Sequence, residues 1–272
     1  GRKGLIVAPA FSEYGRALER EGWETAHMVL SPADGFALSL ENLADRLAEG
    51  CDLLFLCNPA NPTGAILPLS MIEDIHRLCR DTGTFLVLDE AFMDFREEES
   101  AKRLISEWCG GIVLRSMTKF YAIPGLRLGY AMASEEIIRR CSERLEPWSV
   151  NTAAQIAGVA SLADAGYRER TIRSVTAERD ALAAGLAALP GLHPFPSAAN
   201  YLLVEMRNGM TAPELRSALI PKGVIIRDCS NFTGLNERFF RVAVRSGGEN
   251  RRLLTALAEA LGKPGPASRN GE

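Results

Sequence analysis

The sequence predicts an α/β fold: a mainly parallel sheet with flanking helices, followed by a smaller α+β set. Three observations carry this. Short apolar runs alternate with segments of helical period as far as Ala133, the signature of βαβ units. Asn61, Asp89 and Lys119 each fall just past the carboxyl end of a different apolar run, the edge at which open α/β sheets bind ligands. Beyond Ala133 helices come first and strands later. The expected division is a large α/β domain over residues 1–163 and a smaller α+β domain over 164–262, reached by a long bridging helix. A tail over 263–272, with its two prolines and two glycines, reads as disordered.

Taken in order, residues 5–8 form a strand that stops at Pro9, and Ser12 with Glu13 opens a helical pattern ending at Gly22. Residues 25–30 are the next strand. Strand 53–57 runs into Asn58-Pro59-Ala60-Asn61-Pro62-Thr63-Gly64, where two prolines and a glycine fix a turn and hold the Asn61 amide. Residues 69–79 are helical by period, and the apolar strand 84–88 ends in Asp89-Glu90-Ala91-Phe92. After a charge-rich helical segment over 97–108, strand 112–114 meets a polar cluster, Ser116, Thr118 and Lys119, before Pro124 and Gly125 break the chain. Arg127 lies eight residues past Lys119. Two cations flanking two hydroxyls suit an anionic group held beside a reactive amine.

The second part begins with helices over 135–145 and 151–163 and a long amphipathic one over 168–189, stopped by Pro190-Gly191. Strands come next at 201–205, 224–227 and 239–244, with helices at Ala212–Leu219 and 248–261.

With 272 residues and 47% hydrophobic content the chain can bury a large core. A net charge of −3 argues against nucleic acid or an anionic membrane as a partner, so any anion site must be a local pocket. Six cysteines without a C-x-x-C pair and three histidines make no metal-ligand set, and the cysteines read as reduced core residues of a cytoplasmic protein. No apolar run approaches membrane-span length and no signal-peptide pattern opens the chain. Gly1-Arg2-Lys3 leads at once into a strand, which reads as a chain whose amino-terminal part is missing.

Two other chemistries touch the same residues. Asp89-Glu90 after an apolar strand resembles a nucleotide-hydrolysing segment, but the phosphate-cradling loop it requires does not occur in the sequence. Ser116-Met117-Thr118-Lys119 fits an acyl-enzyme motif without its accompanying triplets. A pyridine-aldehyde cofactor fits better. It needs an amine, a carboxylate for its ring nitrogen, a donor to its ring oxygen, and hydroxyls plus a cation for its phosphate. Lys119, Asp89, Asn61 and the group Ser116, Thr118 and Arg127 supply these.

The order Asn-Pro-x-Asn-Pro-Thr-Gly, Asp-Glu-Ala-aromatic, Ser-x-Thr-Lys and Arg eight residues on resembles the pyridoxal-phosphate-dependent class I/II aminotransferase family, over essentially the whole chain up to Lys263. Within it, residues 89–95, 118–127, 147–151 and 227–232 resemble most the threonine-phosphate decarboxylase branch of cobalamin biosynthesis, and next the histidinol-phosphate aminotransferases. The resemblance implies pyridoxal 5'-phosphate as cofactor, Lys119 as the imine-forming lysine, Asp89 as partner of the pyridine nitrogen and Asn61 as donor to the ring oxygen. Ser116, Thr118 and Arg127 would bind the phosphate, and Phe11, rather than Tyr14, would stack on the ring. It further implies Arg241 for the substrate carboxylate, Arg227 for a substrate phosphate with help from Arg245, and Asn151 at the substrate. Strand alternation would put Arg241 and Arg245, four residues apart, on one face. Phe92 stands where many relatives have tyrosine, and the upstream phosphate-binding loop of the family is absent from the chain.

The implied activity is decarboxylation of L-threonine O-3-phosphate to (R)-1-amino-2-propanol O-2-phosphate by a cytoplasmic homodimer. Two alternatives stand beside it: transamination of histidinol phosphate or a similar amino phosphate with 2-oxoglutarate, and a non-catalytic fragment with an incomplete cofactor site.

Overall fold

The computed structural model describes residues 1–262, so the expected disorder of 263–272 lies outside the described residues. The chain opens with β1 (Lys3–Ala8), α1 (Glu13–Arg20), β2 (Glu24–Val29), α2 (Leu40–Ala48), β3 (Leu53–Cys57) and α3 (Leu69–Thr82). It continues with β4 (Phe85–Asp89), α4 (Lys102–Ser106), β5 (Gly111–Ser116), the one-turn α5 (Met117–Phe120) and β6 (Gly129–Ala133). These strands make one sheet in the order β2-β1-β3-β4-β5-β6, in which all neighbours are parallel except β6, antiparallel to β5.

A parallel sheet covered on both faces needs apolar side chains on both, which is why its central strands read as unbroken apolar runs. Leu54, Leu86, Leu88 and Val113 pack against Leu43 and Leu47 of α2 and Ile72 and Ile75 of α3. At about 1.5–3 kcal/mol for each such side chain removed from water, this layer is the main source of the sheet's stability.

The second part runs through α6 (Glu135–Ser142), α7 (Thr152–Ala163), the 23-residue α8 (Ala165–Ala187), β7 (Leu192–Pro194), β8 (Tyr201–Met206), α9 (Ala212–Leu219), β9 (Arg227–Asp228), β10 (Phe239–Ala243) and α10 (Gly247–Ala260). Its sheet is antiparallel, in the order β7-β8-β10-β9. One face of β8 and β10 packs on α8, α9 and α10 through Leu202, Val204, Phe240, Leu186, Leu215 and Leu257. A third cluster, with Phe92, Met117, Phe120 and Tyr201, joins the two sheets. They also meet at Gly64 (φ 75°), whose carbonyl accepts from the Ala198 N–H at 2.8 Å and where a Cβ would strike Ser197. The turn that carries Asn61 is thereby held against the second sheet.

The structure departs from the sequence reading in several places. The segment 97–108 is not one helix: two single 3₁₀ turns, Met93–Phe95 and Glu97–Glu99, precede the short α4, and Asp94 and Glu97 turn inward to Arg115. In 224–227 only Arg227 joins a strand, while Val224 and Ile226 are buried beside the sheet without pairing. Helix α2 and strands β6 and β7 are additional to the expected elements. Cys109 and Cys141 are exposed rather than core residues, while the other four cysteines are buried. Among the described residues no helix is long and apolar enough to cross a membrane.

Candidate active site

Strands β3, β4 and β5 are neighbours, so the segments just past their carboxyl ends converge. Asp89 is the last residue of β4, Asn61 sits four residues past β3, and Lys119 lies on α5 immediately after β5. All three line one compartment of about 410 Å³, together with Phe11, Ser116 and Arg241. That volume lies within the range of roughly 300–1,000 Å³ typical of small-molecule sites.

At the floor, one Asp89 oxygen accepts from the Ala91 N–H at 2.9 Å and the other accepts from the Tyr14 hydroxyl. Tyr14 is buried, its ring stacked on Phe55 with centroids 4.8 Å apart. Burial, then the charges of Cys57 and Asp89, hold its hydroxyl well above the ordinary tyrosine pKa, so it remains a donor. Phe11 meets Tyr14 edge-on at 6.0 Å and leaves 45% of its surface exposed at the compartment's rim.

At the other end, the Ser116 and Thr118 hydroxyls are 2.7 Å apart, and the Lys119 amine donates to them at 3.3 and 2.8 Å. The amine also stands 5.8 Å over the Phe92 ring. Its pKa is pushed below the ordinary 10.5 by burial, with Arg127 and Arg241 adding to the fall and Asp89 opposing it. An amine so placed is more often uncharged, and hence more nucleophilic, than a surface lysine. Arg127 has a left-handed backbone (φ 55°), uncommon and strained for a side-chain-bearing residue, and its guanidinium donates to the Pro124 carbonyl at 3.0 Å without lining the compartment.

Lys119, Phe92 and Arg241 also line a wider outer compartment of about 760 Å³, walled by the second sheet and α9. Arg227 of β9 and Arg241 of β10 are directly opposite in the antiparallel register. Arg241 donates to the Asn61 amide oxygen and lies 4.8 Å over the Tyr201 ring, and the Tyr201 hydroxyl donates to the Ala60 carbonyl at 2.8 Å. Arg227 donates to Asn231 at 2.9 Å.

Two expected substrate residues are not brought here. Strand β10 ends at Ala243, so alternation does not reach Arg245; that side chain is 64% exposed, pairs with Glu249 at 2.6 Å and lines a separate cavity. Asn151 spends its amide as the cap of α7, accepting from the Ala154 N–H at 2.9 Å and donating to the Leu126 carbonyl at 3.2 Å.

Sequence reasoning missed what braces the site. Arg115, inside β5, is buried with Glu90 at 3.0 Å, Glu97 at 2.9 Å and Asp94 at 3.4 Å, and Ser100 donates to Glu90 at 2.7 Å. Glu90 follows Asp89 and Arg115 precedes Ser116, so this cluster ties together the two strand ends that carry the site. Burial raises the Glu90 and Asp94 carboxyls against the pull of Arg115. Its one signal in the sequence was an arginine within an apolar strand.

Fold and site together define a class: an α/β protein with an amide, a carboxylate and an amine at the ends of three adjacent strands, faced by arginines from an antiparallel sheet. The family described as aminotransferase class I and II matches residues 1–259, and the chain belongs to it. The chain is a homologue of threonine-phosphate decarboxylase: the Salmonella typhimurium enzyme is 39% identical over 272 residues, covering 98% of this chain and 73% of that protein. Among solved structures, the histidinol-phosphate aminotransferase from Clostridium acetobutylicum superposes with a TM-score of 0.90 at 26% identity, covering 96% of this chain and 78% of that one. The L-threonine-O-3-phosphate decarboxylase from Porphyromonas gingivalis gives 0.81 at 28% identity, covering 97% and 78%.

Proposed function

We propose that the chain is a pyridoxal-phosphate-dependent lyase that decarboxylates L-threonine O-3-phosphate to 1-amino-2-propanol phosphate, a step of cobalamin biosynthesis, and acts as a cytoplasmic homodimer. The observation that carries the substrate class is the Arg227–Arg241 pair. Like charges directly opposite on antiparallel strands destabilise a sheet. Here the two face one cavity with Lys119, in a chain of net charge −3, which suits a substrate with a carboxylate and a second anion. For the dimer, the support is exposed apolar surface at Trp148, Ile156 and Val159.

The donor set fits the cofactor. The inner compartment has an acid at one end and hydroxyls with an amine at the other, matching a ring nitrogen at one side and a phosphate at the other. Asp89 would hold the ring nitrogen, Asn61 the ring oxygen, Phe11 the ring face, and Ser116 and Thr118 the phosphate, which Arg127 would join on leaving the Pro124 carbonyl. When bound, pyridoxal phosphate supplies an electron sink for the bond broken at the substrate's α-carbon. Asp89, oriented by Tyr14 and the Ala91 N–H, keeps a proton on the ring nitrogen. Lys119 offers an amine that is nucleophilic when uncharged and carries a proton when not. Arg241 binds the substrate carboxylate and Arg227 the second anion, and how they hold the two sets which α-carbon bond breaks.

The likeness to the Clostridium aminotransferase favours a second reading, transamination of an amino phosphate with 2-oxoglutarate. Incubating cofactor-loaded protein with L-threonine O-3-phosphate separates the two. Carbon dioxide release without an oxo-acid supports the lyase, turnover of histidinol phosphate dependent on 2-oxoglutarate supports the transferase, and neither activity sinks both.

A further inference from the structure

We propose that Arg216, on α9, is a specificity-determining residue that joins Arg227 in recognising the substrate's second anionic group, a phosphate monoester. This deepens the dianionic-substrate reading above and rests on it, but is independent of whether the bond broken is to carboxylate or to hydrogen.

The two compartments share Lys119, Phe92 and Arg241, whereas Arg216 and Arg227 line only the outer one. Arg241 therefore stands at the junction, and the far side carries two guanidinium groups delivered by different elements, β9 and α9. The placement of α9 is built in. Thr211 and Glu214 form a reciprocal capping box at its start, and Leu215 and Leu219 are fully buried in the second core, which leaves Arg216 and Ser217 on the cavity side.

Arg216 is also uncommitted. Among the described residues its side chain makes no ion pair and no hydrogen bond, and it lines the cavity. The single acid of the outer lining is Asp228, whose carboxylate accepts from the Ser230 N–H at 2.9 Å and pairs with no cation among the described residues. Lys119, Arg216, Arg227 and Arg241 thus face one cavity against one carboxylate. A carboxylate takes one fork-shaped partner, Arg241. A phosphate monoester, with three acceptor oxygens and close to two charges, takes two, and Arg216 with Arg227 supplies them.

The test is equilibrium titration of the full chain, loaded with cofactor, using two probes. O-phosphoethanolamine has the amine and phosphate without the carboxylate, and L-threonine has the amine and carboxylate without the phosphate. Arg216→Gln is expected to weaken O-phosphoethanolamine about ten-fold or more, the loss of one charge-assisted contact, and L-threonine by no more than about two-fold. Arg216→Lys should recover part of the loss, and Arg245→Gln, paired outside the cavity, should change neither. Unaltered O-phosphoethanolamine binding by Arg216→Gln, or equal loss of both probes with an unchanged circular dichroism spectrum, overturns the proposal and leaves the dianionic reading standing. Wild-type protein that binds O-phosphoethanolamine no more tightly than ethanolamine has no phosphate site, which overturns that reading and this proposal together.

Discussion

The Tyr14 hydroxyl donates to Asp89 across 75 residues of sequence, and this bond fixes the carboxylate at the floor of the site. The ring stack on Phe55 holds the hydroxyl in place, and its raised pKa keeps it a donor over the whole physiological range. Tyr14→Phe keeps the ring and deletes the donor. One Asp89 oxygen is then left without its partner, at a cost of about 1–3 kcal/mol. Denaturant unfolding should register that loss, and a fluorescence titration should show weaker pyridoxal phosphate binding than in the wild type. Wild-type affinity in Tyr14→Phe would mean that the Ala91 N–H alone suffices to orient Asp89.

Lys119 should titrate below an ordinary lysine. Burial depresses its pKa from 10.5, and the charges of Arg127 and Arg241 depress it further. The amine gives up its proton at lower pH in the folded chain than in the unfolded one, so this group makes the fold more stable as pH rises through that window, and its reactivity rises over the same range. Labelling cofactor-free protein with a small acylating reagent, followed by peptide mapping, should give a half-labelling pH for Lys119 below that of the exposed lysines. In Arg241→Gln the removal of a neighbouring cation should move it back upward. A Lys119 curve coincident with the other lysines, or one shifted down in Arg241→Gln, would refute the electrostatic account.

Arg115 is predicted to be the most sensitive of the charged residues that brace the site. Removing one partner of a buried ion cluster leaves the others uncompensated, at a cost of about 3–5 kcal/mol. Arg115→Met should lose this much at pH 7. Without the guanidinium the Glu90 and Asp94 carboxyls, already raised by burial, rise further. A carboxyl whose folded pKa lies above its unfolded value stabilises the fold below the unfolded pKa and loses that contribution as pH climbs through the folded one. The deficit relative to wild type should therefore shrink between pH 7 and pH 5 in urea melts. A deficit that grows on acidification would show that the three acids are not what Arg115 compensates.

How much of this could be read from the sequence depended on whether a residue's place is set by its own element. Asn61, Asp89 and Lys119 could be grouped because buried parallel strands announce themselves as apolar runs, and their carboxyl ends share one edge. The four-residue spacing of Arg241 and Arg245 misled because alternation holds only while the strand continues, and β10 stops at Ala243. β6 was missed for another reason: its short apolar run opens on Gly129 and carries Ala131 and Ala133, residue types that favour strands poorly, and as an edge strand it leaves Gly129, Tyr130 and Ala131 exposed. α2 was legible in principle, since Leu40, Leu43 and Leu47 have helical spacing after the Ser39 cap. Tyr14, Tyr201, Arg115 and Arg216 could not have been assigned, because what they touch is decided by which elements pack together.

The final prediction separates the two opposed arginines. Arg241 is tied to Asn61 and to the Tyr201 ring at the junction of the compartments, whereas Arg227 faces the outer one only. If Arg241 grips the carboxylate that both L-threonine and its phosphate ester carry, Arg241→Gln should raise KM for the two by a similar factor, on the order of 10–100 for a two-pronged charged contact. Arg227→Gln should raise KM for the phosphate ester alone. The Asn61 bond adds an independent check. In a double-mutant cycle with Asn61→Ala and Arg241→Gln, residues in direct contact should show a coupling of about 0.5–3 kcal/mol, whereas Asn61→Ala with Arg227→Gln should be nearly additive. Equal losses on both substrates in Arg227→Gln would make that side chain part of the carboxylate grip, and strong coupling of Arg227 to Asn61 would place it, too, at the junction.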